Sequence, residues 1–158
     1  MKASRILVLG ACALTLAGCG NSVQTVTKAQ YERHLDGIGR KLYLAANGLG
    51  ESTATGIFNE RVDDLENVLA DAGDELDGLK LTNTAQQAQN KRLAHAYHDL
   101  ADRFEQVKDA RRESFIRALK ALDAVQASRP ARETQKAAVA LRKLGVRVPV
   151  FAVLGRTT

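Results

Sequence analysis

The chain has 158 residues, 23 of them basic and 18 acidic, with no tryptophan and only two prolines, enough for a single core of ordinary domain size. Alanine, leucine, lysine, arginine, glutamate and glutamine dominate, which is the composition of a helical bundle. Both cysteines fall among the first twenty residues, so no disulfide can staple the domain that follows.

The N-terminus reads as an export signal. Lys2 and Arg5 form a positive start, and Ile6 to Ala17 is apolar and uncharged. That stretch is shorter than the ~20 residues a membrane-spanning helix needs. It ends in Leu16-Ala17-Gly18-Cys19, whose small residues suit a peptidase that closes on extended backbone. A rival Cys12 would leave only Ile6 to Ala11 as the apolar core, shorter than the usual ~7–15 residues.

The Leu16-Ala17-Gly18-Cys19 sequence resembles the lipobox of bacterial lipoproteins. The resemblance implies a diacylglyceryl group on the Cys19 thiol, cleavage between Gly18 and Cys19, and in many bacteria an acyl chain on the new amine. Two or three chains make a lasting anchor where one alone binds reversibly. Residues 1–18 are then a signal peptide, and 19–26 are the lipidated cysteine and a short tether. The chain is expected at the cell membrane or outer membrane, on the extracytoplasmic side. Gly20, rather than the aspartate that resembles an inner-membrane retention signal, leans toward the outer membrane.

Residues 27–145 read as the bundle. Thr27-Lys28-Ala29-Gln30 fits a capping box, and behind it Tyr31, Leu35, Ile38, Leu42, Ala45 and Leu49 form a heptad seam. Gly48 and Gly50 are expected to close this first helix. A second seam runs Phe58, Val62, Leu65, Leu69, Ala72, Leu76 and Leu79, weakened at Gly73 by about 1 kcal/mol relative to alanine. Thr84-Ala85-Gln86-Gln87 opens a third helix, with Leu93, Tyr97, Leu100, Phe104 and Val107 facing inward.

The step of eight from Val107 to Phe115 predicts a kink or short break between Asp109 and Glu113. Phe115, Leu119, Leu122 and Val125 continue as a fourth segment, which Ser128-Arg129-Pro130 stops. A last helix runs to Leu144, with Gly145 as its cap. Helices joined by short turns pack antiparallel. The expected fold is an all-α, up-down antiparallel four-helix bundle with a broken last arm. Residues 146–158 are expected as an extended tail across the open end of the bundle.

Charge is segregated along the chain. Thr55 to Leu81 holds eight acids against Arg61 and Lys80, and Gln106 to Arg147 holds eleven bases against four acids. Two solvated faces attracting each other inside one bundle are the expected explanation. A basic surface for anionic headgroups or an envelope polymer is the alternative. Nucleic acid is not an expected partner for an exported chain.

No catalytic pattern emerges. His95 and His98 share a helical face, but the seam turns both toward solvent, and His34 flanks its own seam. No glutamate precedes a histidine by three, as a di-iron bundle requires, and no Gly-x-Ser-x-Gly elbow or phosphate loop occurs. The reading therefore expects no cofactor, no metal and no enzyme.

The stretch Leu79 to Phe104, "LKLTNTAQQAQNKRLAHAYHDLADRF", is similar to a repeated pattern in small alanine-rich helical lipoproteins of uncharacterised function. It covers about a sixth of the chain, with Thr82-Asn83 in place of the usual proline. The resemblance implies no activity. The functional expectation is a membrane-anchored interaction or structural module, with an envelope protein or anionic polymer as partner. A carrier of metal or a small ligand between its helices is the alternative.

Overall fold

A computed structural model describes residues 23–52 and 57–150. Cys12, Gly18 and Cys19 lie outside the described residues, as do the tail residues beyond Val150. The element order is β1 (Gln24–Val26), α1 (Lys28–Glu51), α2 (Phe58–Asp77), β2 (Leu79–Leu81), α3 (Thr84–Glu113), α4 (Phe115–Gln126) and α5 (Arg129–Lys143). The architecture is an all-α helical bundle: α1 packs on α2, α2 on α3, and α3 carries both α4 and α5 along its length. The broken last arm is α4 followed by α5.

The seams of the first three helices form the core. Tyr31, Leu35, Ile38, Leu42 and Leu49 of α1 are buried. So are Phe58, Val62, Leu65, Leu69, Ala72 and Leu76 of α2. The α3 seam is buried in full, joined by Ala94, Ala96 and Ala101. The Thr27 capping box forms, with the Gln30 amide donating to Thr27 Oγ1 at 3.3 Å and the Thr27 amide to Gln30 Oε1 at 2.7 Å. Neither Gly48 nor Gly50 ends α1, which runs on to Glu51 and is capped at Ser52. Gly48 instead gives the Arg61 side chain room, since an added Cβ would stand 3.4 Å from Arg61 Cδ.

The largest departure from the sequence reading is a two-stranded parallel sheet. Gln24, Thr25 and Val26 pair with Leu79, Lys80 and Leu81, so Leu79 leaves the α2 seam and Gln24–Val26 is strand rather than slack tether. In β2, Leu79 and Leu81 turn inward while Lys80 stays exposed, the period-two pattern of a strand, and in β1 only Val26 is buried. Parallel strands need a long crossover, and the α1–α2 hairpin supplies it.

Side chains of α3 hold this end together. Asn83, not Thr84, caps the helix by accepting from the Gln86 amide at 3.1 Å. Gln87 reaches back to β2, accepting from the Leu81 amide at 2.6 Å and donating to the Leu79 carbonyl at 3.3 Å. Buried Asn90 donates to the Leu76 carbonyl at 2.7 Å, satisfying an acceptor near the end of α2 that would otherwise lack an intrahelical donor.

Helix α3 runs unbroken through the Asp109–Glu113 span expected to break, and the break falls just beyond it at Ser114, whose extended backbone ends α3 and whose hydroxyl caps α4 by accepting from the Arg117 amide at 3.2 Å. The α4 seam differs from the expected one. Ala118 is buried and Leu119 is 44% exposed, so the inward row is Phe115, Ala118, Leu122 and Val125. Small Ala118 lets α4 approach α3 closely, which leucine at that point would prevent. The Phe115 ring meets Phe58 edge to face at 5.4 Å.

Ser128 caps α5 with Pro130 in the first turn, where a missing N–H costs nothing. Gly145 stops it at φ +77°, a left-handed conformation that glycine adopts freely. The Val146 amide returns to the Leu141 carbonyl and the Gly145 amide to Arg142, a Schellman ending. Beyond it Val146 and Val148 are buried. The Arg147 amide donates to Glu32 Oε1 at 2.8 Å, and its guanidinium pairs with Asp36. The described part of the tail therefore lies against the start of α1, at the end of the bundle where α5 finishes.

Candidate functional site

The three histidines occupy different surroundings. His34 Nδ1 lies 2.7 Å from Glu75 Oε1, and Lys41 Nζ stands 3.6 Å from the other oxygen, tying α1 to α2. His95 is exposed, as the α3 seam predicts. His98 is not: it is half-buried against α2, its ring resting on the Gly73 backbone, where an added Cβ would meet it at 2.6 Å. Its Nε2 stands 3.5 Å from Asp77 and 3.7 Å from Asp74. Seam counting placed His98 toward solvent because it is blind to how near the neighbouring helix comes. Among the described residues, no group of three or more His, Cys, Asp and Glu is arranged to hold a metal.

The segregated charges meet at one main point. Lys108 of α3 reaches Asp63 at 2.9 Å and Glu66 at 2.7 Å on α2. Hydrogen bonds to Glu66 first and Asp63 second push its ammonium up to about 12. The basic residues of α5 face differently, because α5 takes α3 as its main partner. There Glu133 accepts from Arg92 at 2.6 Å and from Lys136 at 2.9 Å. Lys136 and then Arg92 hold its carboxyl below the usual range. The acidic and basic halves thus meet through Lys108 at the edge of the apolar α2–α3 contact, and the α5 cations lie outside it.

A groove of about 1090 Å³ runs along the outer face of α3, walled by Asp77 of α2 and by Arg129 and Glu133 of α5. Lys91, His95, Asp99 and Arg103 line its floor. Small-molecule pockets are mostly apolar and enclose their ligand. This groove is wide and interleaves both signs of charge. Such a surface suits a polar chain or a protein face, with charge order giving specificity. Inside the core, burial pushes the Tyr31 and Tyr97 phenols up, and Tyr31 adds to the shift at Tyr97. Neither phenol is suited to act as a base near neutral pH.

Gly18 and Cys19, expected as the end of a lipobox, lie outside the described residues, but the described residues nearest to them are held in place. The Gln24 amide donates to the Gly78 carbonyl at 2.8 Å, so the chain enters at the end of the bundle where α2 finishes and α3 begins. The end of α5 is there too, since Gln86 Nε2 donates to the Leu144 carbonyl at 3.1 Å. No helix among the described residues is long and apolar enough to cross a membrane. No protein-family model, curated protein or solved structure matches the chain.

Proposed function

We propose that the protein is an extracytoplasmic lipoprotein, held by acyl chains on Cys19, whose bundle acts without catalysis as an interaction or structural module of the cell envelope. The observation that carries this reading is Leu16-Ala17-Gly18-Cys19 at the end of an uncharged apolar stretch behind Lys2 and Arg5. The entry of the chain supports it. With Gln24 held by β2, only Gly20 to Val23 separate the anchor from the bundle, at most ~14 Å at ~3.5 Å per residue. The charged groove along α3 supports recognition of an envelope protein or anionic polymer. Both acyl anchoring and a short tether keep that groove near the membrane surface.

Labelling cells with a fatty-acid probe tests the anchor. Cys19→Ala should abolish label and leave an uncleaved precursor, while Cys12→Ala should change neither. Label that persists in Cys19→Ala, or disappears only in Cys12→Ala, overturns the reading. A pull-down from native membranes then identifies the partner. Stoichiometric metal or a bound apolar molecule in the purified protein would replace the module with the carrier.

A further inference from the structure

The end of the bundle that receives the tether has an unusual outer layer. It consists of the three non-helical stretches Val23–Thr27, Gly78–Asn83 and Leu144–Val150, joined by the β1–β2 ladder and the Gln86–Leu144 hydrogen bond. These stretches contain Lys80 and Arg147 but no aspartate or glutamate. The helix ends that border them add Lys28, Arg142 and Lys143, all exposed. The Lys28 ammonium lies close to Gly145, 3.8 Å from where a Cβ there would stand, so the start of α1 and the end of α5 share one patch. The bordering carboxylate is Asp77, which already stands beside His98. Farther along α1, Glu32 and Asp36 pair with Lys28 and Arg147, and the Arg142 guanidinium donates to the Val148 carbonyl at 3.0 Å, so the excess positive charge of this layer rests on Lys80, Arg142 and Lys143. Three exposed apolar side chains, Val23 at 63%, Leu144 at 37% and Val150 at 67%, stand in the same layer.

We infer that this end, carrying Lys28, Lys80, Arg142, Lys143 and Arg147, lies against the headgroups of anionic phospholipid. The inference rests on the proposed lipid anchor, because a tether of four residues brings this layer and no other to the bilayer. Cations near an anionic leaflet each add favourable energy that falls off within a Debye length. Val23 and Leu144 are placed to enter the boundary between headgroups and acyl chains.

The full lipidated protein, reconstituted in phosphatidylcholine vesicles with or without phosphatidylglycerol, tests this with a lysine-reactive reagent. Lys120, exposed on α4, serves as the internal reference. In anionic vesicles Lys28, Lys80 and Lys143 should react at least threefold more slowly relative to Lys120 than in neutral ones, and 0.5 M salt should remove most of the difference. Lys80→Gln with Lys143→Gln should reduce the protection left at Lys28. Flotation with both vesicle types but equal reactivity in both overturns this inference and leaves the anchor standing. Failure to float with either overturns the anchor and this inference together. Flotation with anionic vesicles alone supports the headgroup surface and removes the anchor.

Discussion

The His98 imidazole lies on the backbone of Gly73, so close that a methyl group at position 73 would stand 2.6 Å from two of its ring atoms. Glycine in a helix interior costs about 1 kcal/mol relative to alanine, and here that cost admits the ring between α2 and α3. Gly73→Ala should therefore behave differently according to what stands at position 98. In a His98→Ala background it should stabilise by about 1 kcal/mol. With His98 present that gain should be reduced by at least about 1 kcal/mol, as the ring gives up its place beside Asp74 and Asp77. Urea denaturation of the four proteins reads the coupling, and additive effects would mean that the ring swings clear freely.

His95 has no such constraint. His95→Ala should change stability by no more than about 0.5 kcal/mol, and His98→Ala by more than His95→Ala. Equal effects would place both imidazoles in solvent.

Asn90 is buried and donates to the Leu76 carbonyl, while its own side-chain oxygen has no hydrogen-bond partner among the described residues. Asn90→Ala strands a carbonyl in the core and should cost about 1–3 kcal/mol. Hydrogen exchange should accelerate at Leu79 to Leu81, since the same turn carries β2. A loss under about 0.5 kcal/mol would show that the carbonyl finds another donor.

Lys108 joins α3 to two carboxylates of α2, and its folded value is raised from 10.5 to about 12. A raised value means the folded state holds the proton more tightly. The stabilisation is complete below about pH 10.5 and is lost as pH rises through 12. The side chain is 25% exposed, so the pair is worth about 1 kcal/mol. Lys108→Met should show that deficit unchanged from pH 6 to 9, and the gap should narrow above pH 10.5. A deficit that grows with pH would contradict the pairing.

The entry of the chain at β1 sets which turns would face the proposed anchor. With single cysteines introduced at Gly50 or Thr82 and the lipidated protein in vesicles, maleimide should modify position 50 well before position 82. Equal rates would mean a looser tether or a different orientation.

Much of the architecture was legible because it depends on local spacing. Tyr31 through Leu49, Phe58 through Leu76 and Leu93 through Val107 each repeat an apolar residue every three or four positions, and each row is buried or half-buried. The break at Ser114 showed as a skipped step, and the stop at Gly145 as a glycine after the last periodic residue. What the spacing could not supply was distance between elements. Leu79 sits three residues after Leu76 and fits the helical period, yet β1, more than fifty residues earlier, claims it for a ladder of three pairs. Gln87 fits a capping box equally well, but the nearby strand offers it two backbone partners. Leu119 fits the α4 seam until the close approach of α3 selects Ala118.

The candidate sites divide along the same line. In the proposed reading Cys19 and its neighbours are a linear signal read by an enzyme on extended chain, so that expectation rests on the sequence alone. The groove, the seat of His98 and the basic layer at the tethered end depend on residues far apart in the chain. Lys28, Lys80 and Lys143 come to the same end of the bundle only when β1 pairs with β2 and α5 returns to α3. Periodicity sets which side of a helix is buried, because burial of an apolar row is favourable wherever it occurs. Packing sets which helix covers it and how closely, and only that contact decides where the charges left outside come together.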